Sequence, residues 1–181
     1  MLPEASTYAA QVDSTFMFIV KVSLLFLVMI TAAMVYFAIR YNRKYYKTPK
    51  DIEGSVILEI TWTVIPTILV MFMFWYGYVA YRDMRDVPAD AIVIQGTASK
   101  WAWNFTYANG KKSQKLYVPV NRAVKVELES KDVLHSLFIP AFRVKEDAVP
   151  GRSSYVTFTA TETREFDIEC AEYCGLSHSA M

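Results

Sequence analysis

Histidine and cysteine are nearly absent from this chain: its 181 residues include two of each. Net charge is nearly absent too. The 19 Lys and Arg against 18 Asp and Glu leave a formal +1, so no overall charge points to nucleic acid as a partner. The first 15 residues carry no Lys or Arg. Without a basic start, and with a following apolar run longer than a signal-peptide core, the N-terminal region reads as a membrane span rather than a cleaved signal. No internal repeat and no low-complexity segment occurs.

What scarce chemistry there is lies in one place. The final stretch, CAEYCGLSHSAM, holds Cys170, Cys174, His178 and Met181; the remaining histidine is His135. Thiolate and thioether favour soft metals, and imidazole suits copper and zinc. One Cys, two His and an axial Met would make a single-copper site, leaving Cys170 as a surplus thiolate. A second thiolate lets two sulfurs bridge two metals, each then receiving two sulfurs and one histidine, which favours a dinuclear copper site. A structural zinc with two Cys and two His has no use for Met181. A disulfide between the cysteines leaves both histidines without a role. A reduced, inert pair does not explain the tight spacing of His178 and Met181.

The apolar residues, 54% of the chain, concentrate in the first half. Phe16 to Ile39 is an apolar run broken only by Lys21, near enough to one end for its ammonium to reach the interface. A second run extends from Val56 to Tyr81. A span needs roughly 20 such residues, so residues 1–85 read as a two-helix transmembrane hairpin with spans at about 16–39 and 56–81. Between them Arg40, Arg43, Lys44, Lys47 and Lys50 form a basic loop, which by the positive-inside tendency lies on the inner side and puts both flanks outside. Trp75, Tyr76, Tyr78 and Tyr81 suit an outer aromatic belt. Pro66 is tolerable in a membrane helix. Glu59 sits at the inner end of the second run, where an acid can simply reach interfacial water.

Past Asp86 the pattern changes to period two, the mark of half-buried strands. Val124, Val126 and Leu128 alternate with Lys125, Glu127 and Glu129. Phe166 and Ile168 alternate with charged residues and deliver Cys170 on the inward face. Asn109-Gly110 signals a hairpin, and the strand leading into it carries Trp101, Trp103, Phe105 and Tyr107 on one face, where packing is the ordinary role. Residues 86–181, roughly 95 residues, suffice for one small all-β sandwich or barrel.

These motifs together resemble cytochrome c oxidase subunit II. CAEYCGLSHSAM is similar to that family's dinuclear copper motif, and DVLHSLFIPAFRVKEDAVPGR at 132–152 to its first-histidine segment. The resemblance implies a cupredoxin-like sandwich after the membrane hairpin. It implies that Cys170 and Cys174 bridge two copper ions, that His135 and His178 bind one each, and that Met181 and the carbonyl of Glu172 are weak axial ligands. It also implies that the Glu172 carboxylate faces a magnesium shared with the catalytic subunit. LEITWTVIP resembles the family's second-helix motif, in which the position of Glu59 stands at a proton-uptake entrance. KWAWNF resembles its aromatic segment, whose first tryptophan, here Trp101, is where electrons enter.

In that family the methionine ligand is followed by a strand that closes the sandwich. The sequence here stops at Met181, so the expectation is a domain lacking its last strand, within a longer chain that can carry a fused cytochrome c domain. Lys111, Lys112 and Lys115 near the hairpin tip differ from the acidic landing surface that many relatives offer cytochrome c; an ordinary solvated turn would also carry them. The expected function is that of a subunit accepting single electrons at the outer face and passing them to haem in catalytic subunit I for oxygen reduction coupled to proton translocation. Haem is expected only in partners or in a missing C-terminal domain. The expected partners are the other oxidase subunits, membrane lipid, and cytochrome c or a tethered haem donor. The expected place is a bacterial inner membrane in preference to a mitochondrial one, with the copper domain on the outer, periplasmic face. Two other readings stay open: a membrane-anchored copper carrier, and the copper-free quinol-oxidase relative.

Overall fold

The computed structural model describes residues 3–48 and 53–181; Lys50 of the basic loop lies outside them. The chain begins with two helices, α1 (Ala9–Arg40) and α2 (Val56–Arg85). Both are long and apolar enough to cross a membrane, with mean hydropathy of 2.5 and 2.0. Their apolar side chains, such as Leu24, Leu25, Ile57 and Phe74, point outward and are more than half exposed. A surface of this kind is at home in lipid, where the helix satisfies every backbone group internally. Pro66 lies inside α2 without ending it. Helix α1 starts well ahead of Phe16, so the polar approach to the first apolar run is already helical.

The chain forms two compact units, one comprising Ser14–Tyr78 and the other joining the segment up to Asp13 with Val79–Met181. The second unit is a sandwich of two sheets. Its strands are β1 (Ile92–Ser99), β2 (Ala102–Thr106), β3 (Lys112–Ser113), β4 (Ala123–Ser130), β5 (His135–Ile139), β6 (Val144–Ala148), β7 (Ser154–Thr159) and β8 (Glu169–Cys170). One sheet runs β3-β2-β1-β4-β7, the other β6-β5-β8. All pairs are antiparallel except β1 with β4. Alternation works as the pattern requires: Ile94, Val124, Val126, Leu128 and Phe158 are buried between the sheets. Gly96 faces Leu128 across the parallel pair, and a Cβ there would lie 2.9 Å from the Leu128 side chain. The Asn109-Gly110 turn joins β2 to β3, with Gly110 at φ 80 and the Asn109 side chain accepting the Lys111 N–H.

Two features were not anticipated. Phe166 and Ile168 are half-buried and alternate with exposed charges, yet regular pairing is confined to Glu169–Cys170, opposite Leu137 and Phe138 of β5. Between residues 114–120 and 160–168 lies a cavity of about 480 Å³ floored by Ile139 and Phe142.

The other feature is the N-terminal segment, which is built into the sandwich. Ala5 and Ala9 are fully buried. Ala5 donates its N–H to Ala141 and accepts from Thr161, while Thr7 donates to Thr159. The Ser6 hydroxyl donates to the Phe142 carbonyl at 2.8 Å. Arg143, in the left-handed conformation at φ 57, grips Asp13 with two nitrogens at 2.7 and 2.8 Å and donates to the carbonyls of Pro140 and Pro3. Planar, two-point pairing of this kind is what a guanidinium does and an ammonium does not. The end of α2 is held in the same unit: its last carbonyls, on Met84 and Arg85, accept hydroxyls from Thr157 and Tyr155, and Arg85 pairs with Glu146 at 2.7 Å.

Arg143→Ala is expected to destabilise this unit by about 2–3 kcal/mol, because a half-buried Asp13 and two carbonyls lose charged donors. Arg143→Lys should recover less than half of that. Thermal unfolding of the detergent-solubilised chain measures both; a loss too small to detect for Arg143→Ala would mean the strap carries no weight.

Candidate metal centre

Two distant pieces of backbone bring the soft side chains together. His135 opens β5 and is fully buried. Cys170 ends β8, one strand over, and is buried as well. After Cys170 the chain leaves the sheet: Ala171 donates to the Ser136 carbonyl and His178 to that of Gly175. A short 3₁₀ turn at His178–Ala180 then carries Met181 back, where its carbonyl accepts the N–H of Cys170 at 3.0 Å. Gly175, at φ 115, makes the reversal possible. A side chain there would be strained in this left-handed region, and it would sit against the indole of Trp101.

The sulfurs of Cys170 and Cys174 are 3.8 Å apart. That is far beyond a disulfide bond of about 2.05 Å. It is short enough for one metal ion, with thiolate bonds of about 2.3 Å, to reach both. His135 Nδ1 faces Cys170 Sγ at 3.8 Å and His178 Nδ1 faces Cys174 Sγ at 3.6 Å. Met181 Sδ lies 3.8 Å from Cys174 Sγ, and the Glu172 carbonyl oxygen 3.2 Å from Cys170 Sγ. The ligand atoms of His135, Cys170 and Cys174 all fall within 4.8 Å of one another; His178 is outside that group. A single tetrahedral ion needs four mutually close donors, so one zinc suits this arrangement poorly. Two sulfurs in the middle with one histidine at each flank suit two metals. The residues therefore fit a dinuclear copper centre.

The histidines differ in their support. His135 Nε2 lies 2.8 Å from Asp132 Oδ1. A carboxylate there keeps the proton on Nε2 and leaves Nδ1 bare toward the sulfurs. Burial works to raise the Asp132 carboxyl, but the hydrogen bonds from His135 and from the N–H groups of Lys100 and Val133 outweigh it and hold it at about 2. No hydrogen bond to His178 Nε2 occurs among the described residues; its ring instead meets exposed Tyr173 edge-on at 5.9 Å. Burial, then the neighbouring Cys170 thiol, push the Cys174 thiol of the metal-free chain up to about 11.

Trp101 precedes β2 and is 37% exposed; its indole N–H donates to the Cys174 carbonyl at 3.3 Å. The aromatic residues that follow differ from it. Trp103 and Phe105 are buried, and Trp103 packs edge-on against His135 at 6.2 Å. The Glu172 carboxylate pairs with Lys145 at 3.3 Å, and Lys145 also reaches Asp147. Lys115 pairs with Glu165, while Lys111 and Lys112 are exposed. Glu59 belongs to the other compact unit, in the first turn of α2, where a carboxylate also complements the helix dipole. Sequence reasoning missed Asp132 and Lys145. Asp132 was within reach of it, since an acid three residues ahead of a candidate ligand is visible in DVLH.

Comparison with known proteins gives one answer throughout. Residues 66–181 match the family described as cytochrome c oxidase subunit II, periplasmic domain, and residues 1–78 match the corresponding transmembrane domain. Cytochrome c oxidase subunit 2 of Synechocystis is 27% identical over 98% of this chain and 68% of the relative. That of Alkalihalophilus pseudofirmus is 35% identical over 90% of this chain, and the chain spans about half (51%) of its length. The crystal structure of the periplasmic domain of subunit II from Bradyrhizobium japonicum matches with a TM-score of 0.50 and 33% identity, over 53% of this chain and 83% of that one.

The thiol chemistry can be checked without metal. With Cys174 at about 11 against an ordinary 9.0, only the thiolate reacts. Alkylation of Cys174 in the folded, metal-free chain is expected to be about 100-fold slower at pH 7.5 than in the unfolded chain. The rate should climb until pH passes about 11. Mass spectrometry of the alkylated chain gives the rates; equal rates folded and unfolded would show that the site does not shield its thiols.

Proposed function

This chain belongs to the cytochrome c oxidase subunit II family, and from that premise we propose that it is the electron-accepting subunit of a haem–copper terminal oxidase. The observation that carries the reading is the pair of buried sulfurs 3.8 Å apart with a histidine Nδ1 facing each. In this reading Cys170, Cys174, His135 and His178 would be the strong donors that hold two copper ions, with Met181 and the Glu172 carbonyl as weaker donors beside them. Copper held by these residues would supply one-electron chemistry, accepting an electron from a donor that is oxidised and giving it to an acceptor in the catalytic subunit.

The chain's own residues account for the rest. Burial of His135, Cys170 and Cys174 keeps water from the sulfurs, and a ligand shell held this firmly would move little on electron transfer. Trp101 presents an exposed ring with its N–H on the Cys174 carbonyl, and is the place where electrons enter. The Glu172 carboxylate, now on Lys145, is offered to a magnesium shared with subunit I. Glu59 is the proton-uptake residue at the inner end of α2. The basic loop Arg40–Lys47 lies inside and the copper domain outside, on the periplasmic face of a bacterial inner membrane. Lipid, subunit I and the other oxidase subunits are its surroundings. Exposed Lys111 and Lys112 favour an acidic or tethered haem domain over a basic soluble cytochrome c as donor. A copper carrier would need exchangeable ligands, and the burial of three of the four strong donors argues against one.

Purified chain reconstituted with copper should bind two ions per chain and give a resonance spectrum of one unpaired electron shared equally by both. A single localised copper, or one zinc per chain, would refute the proposal.

Trp101→Ala should slow copper reduction by the natural donor while copper content stays at two per chain. Trp103→Ala should behave differently, losing about 3 kcal/mol or more of stability through the cavity left beside His135 and copper along with it. Identical behaviour of the two variants would assign Trp101 to packing rather than to electron flow.

A further inference from the structure

Asp132 lies in the turn between β4 and β5 and uses both of its oxygens. Oδ1 accepts the N–H of Val133 at 2.7 Å and meets Nε2 of His135 at 2.8 Å. Oδ2 accepts the N–H of Lys100 at 2.7 Å. Lys100 is the residue before Trp101, whose indole reaches the Cys174 carbonyl. Cys174 Sγ in turn faces Cys170 Sγ, and Cys170 Sγ faces His135 Nδ1. The contacts close into a ring, and Asp132 is the one member that touches both the histidine and the tryptophan turn.

The geometry points to Asp132 as a positioning residue that sets the tautomer of His135 and, through Lys100, pins Trp101 over Cys174. The role deepens the proposed function, since it rests on His135 as a copper ligand and Trp101 as the electron inlet. One carboxylate then holds both ends of the donor path, so the indole cannot drift without loosening a ligand. Replacement by Asn tests this directly: its single acceptor oxygen can serve the histidine or the Lys100 N–H, and its NH₂ opposes the other donor.

The test uses the full chain in detergent, first without metal. It carries ¹⁵N-histidine and 5-fluorotryptophan, with the His135 and Trp101 signals assigned through His135→Gln and Trp101→Phe. In the parent chain His135 should show a single tautomer protonated at Nε2, and Trp101 one sharp fluorine line. In Asp132→Asn both should change: His135 becomes a tautomer mixture and the Trp101 line shifts or broadens. Copper affinity should then fall roughly 10–100-fold, the usual effect of losing a carboxylate behind a ligand histidine. A change in only one of the two signals, or in neither, overturns the linkage, as does an affinity equal to the parent's. If Asp132→Asn fails to fold, Ser130→Ala removes the hydroxyl that accepts the Asp132 N–H. It should move both signals the same way by less, and no movement overturns the role. A parent chain that binds no copper would refute the metal reading alone, leaving the two metal-free signals to decide the linkage.

Discussion

The candidate centre depends on a short stretch of backbone pairing at Cys170. Glu169 and Cys170 pair with Phe138 and Leu137 of β5, and the Cys170 N–H is given to the Met181 carbonyl. These bonds set the distance between a strand that begins with His135 and a loop that carries the other donors. Soft side chains scattered through an unfolded chain have no reason to meet, and ordering each residue costs about 1–2 kcal/mol of backbone entropy. Here the sheet meets that cost. The core of Val124, Val126, Leu128, Leu137 and Phe158 holds β5 in place, and the loop folds back on it.

That division explains how much could be read in advance. The gathering of His135, Cys170, Cys174 and His178 was legible because Cys and His are so rare in this chain that no residue was left over. The membrane hairpin was legible from hydropathy, and β4 from strict alternation of Val124, Val126 and Leu128 with charged neighbours. The stretch before Cys170 was legible only in part, since its alternation of exposure is present but a paired strand forms only opposite Leu137 and Phe138. The N-terminal segment was not legible at all. Its Ala5, Ser6 and Ala9 are small residues without a pattern, and they are buried because the strap fits closely against Ala141 and Thr159. Arg143 carried no signal of its own in the sequence; its guanidinium meets acceptors on Asp13, Pro3 and Pro140 that only the folded chain brings within reach.

The β unit also includes residues from the ends of both helices. The strap before α1 and the last turn of α2 both belong to it. At the end of α2 the orphan carbonyls of Met84 and Arg85 accept from Thr157 and Tyr155, and the Arg85 guanidinium carbon lies over the Tyr155 ring, 4.1 Å from its centroid, while the side chain pairs with Glu146. Thr157 and Tyr155 sit on β7, the edge of the larger sheet, so Met84 and Arg85 take part in the β unit's own hydrogen bonding.

The two histidines mark a final asymmetry. His135 is sealed in the core with a carboxylate behind it, whereas His178 stands on a turn beside exposed Tyr173 and Leu176. A site made only to retain metal gains from burying every donor equally. The proposed electron-accepting role has a different requirement, since transfer to a partner needs a donor residue near the surface; under that reading burial of His135 would supply rigidity and partial exposure of His178 would supply access. Under the proposed function stability and access would then fall to different residues: His135 on β5 carries the first, and His178, opening the 3₁₀ turn at His178–Ala180, carries the second.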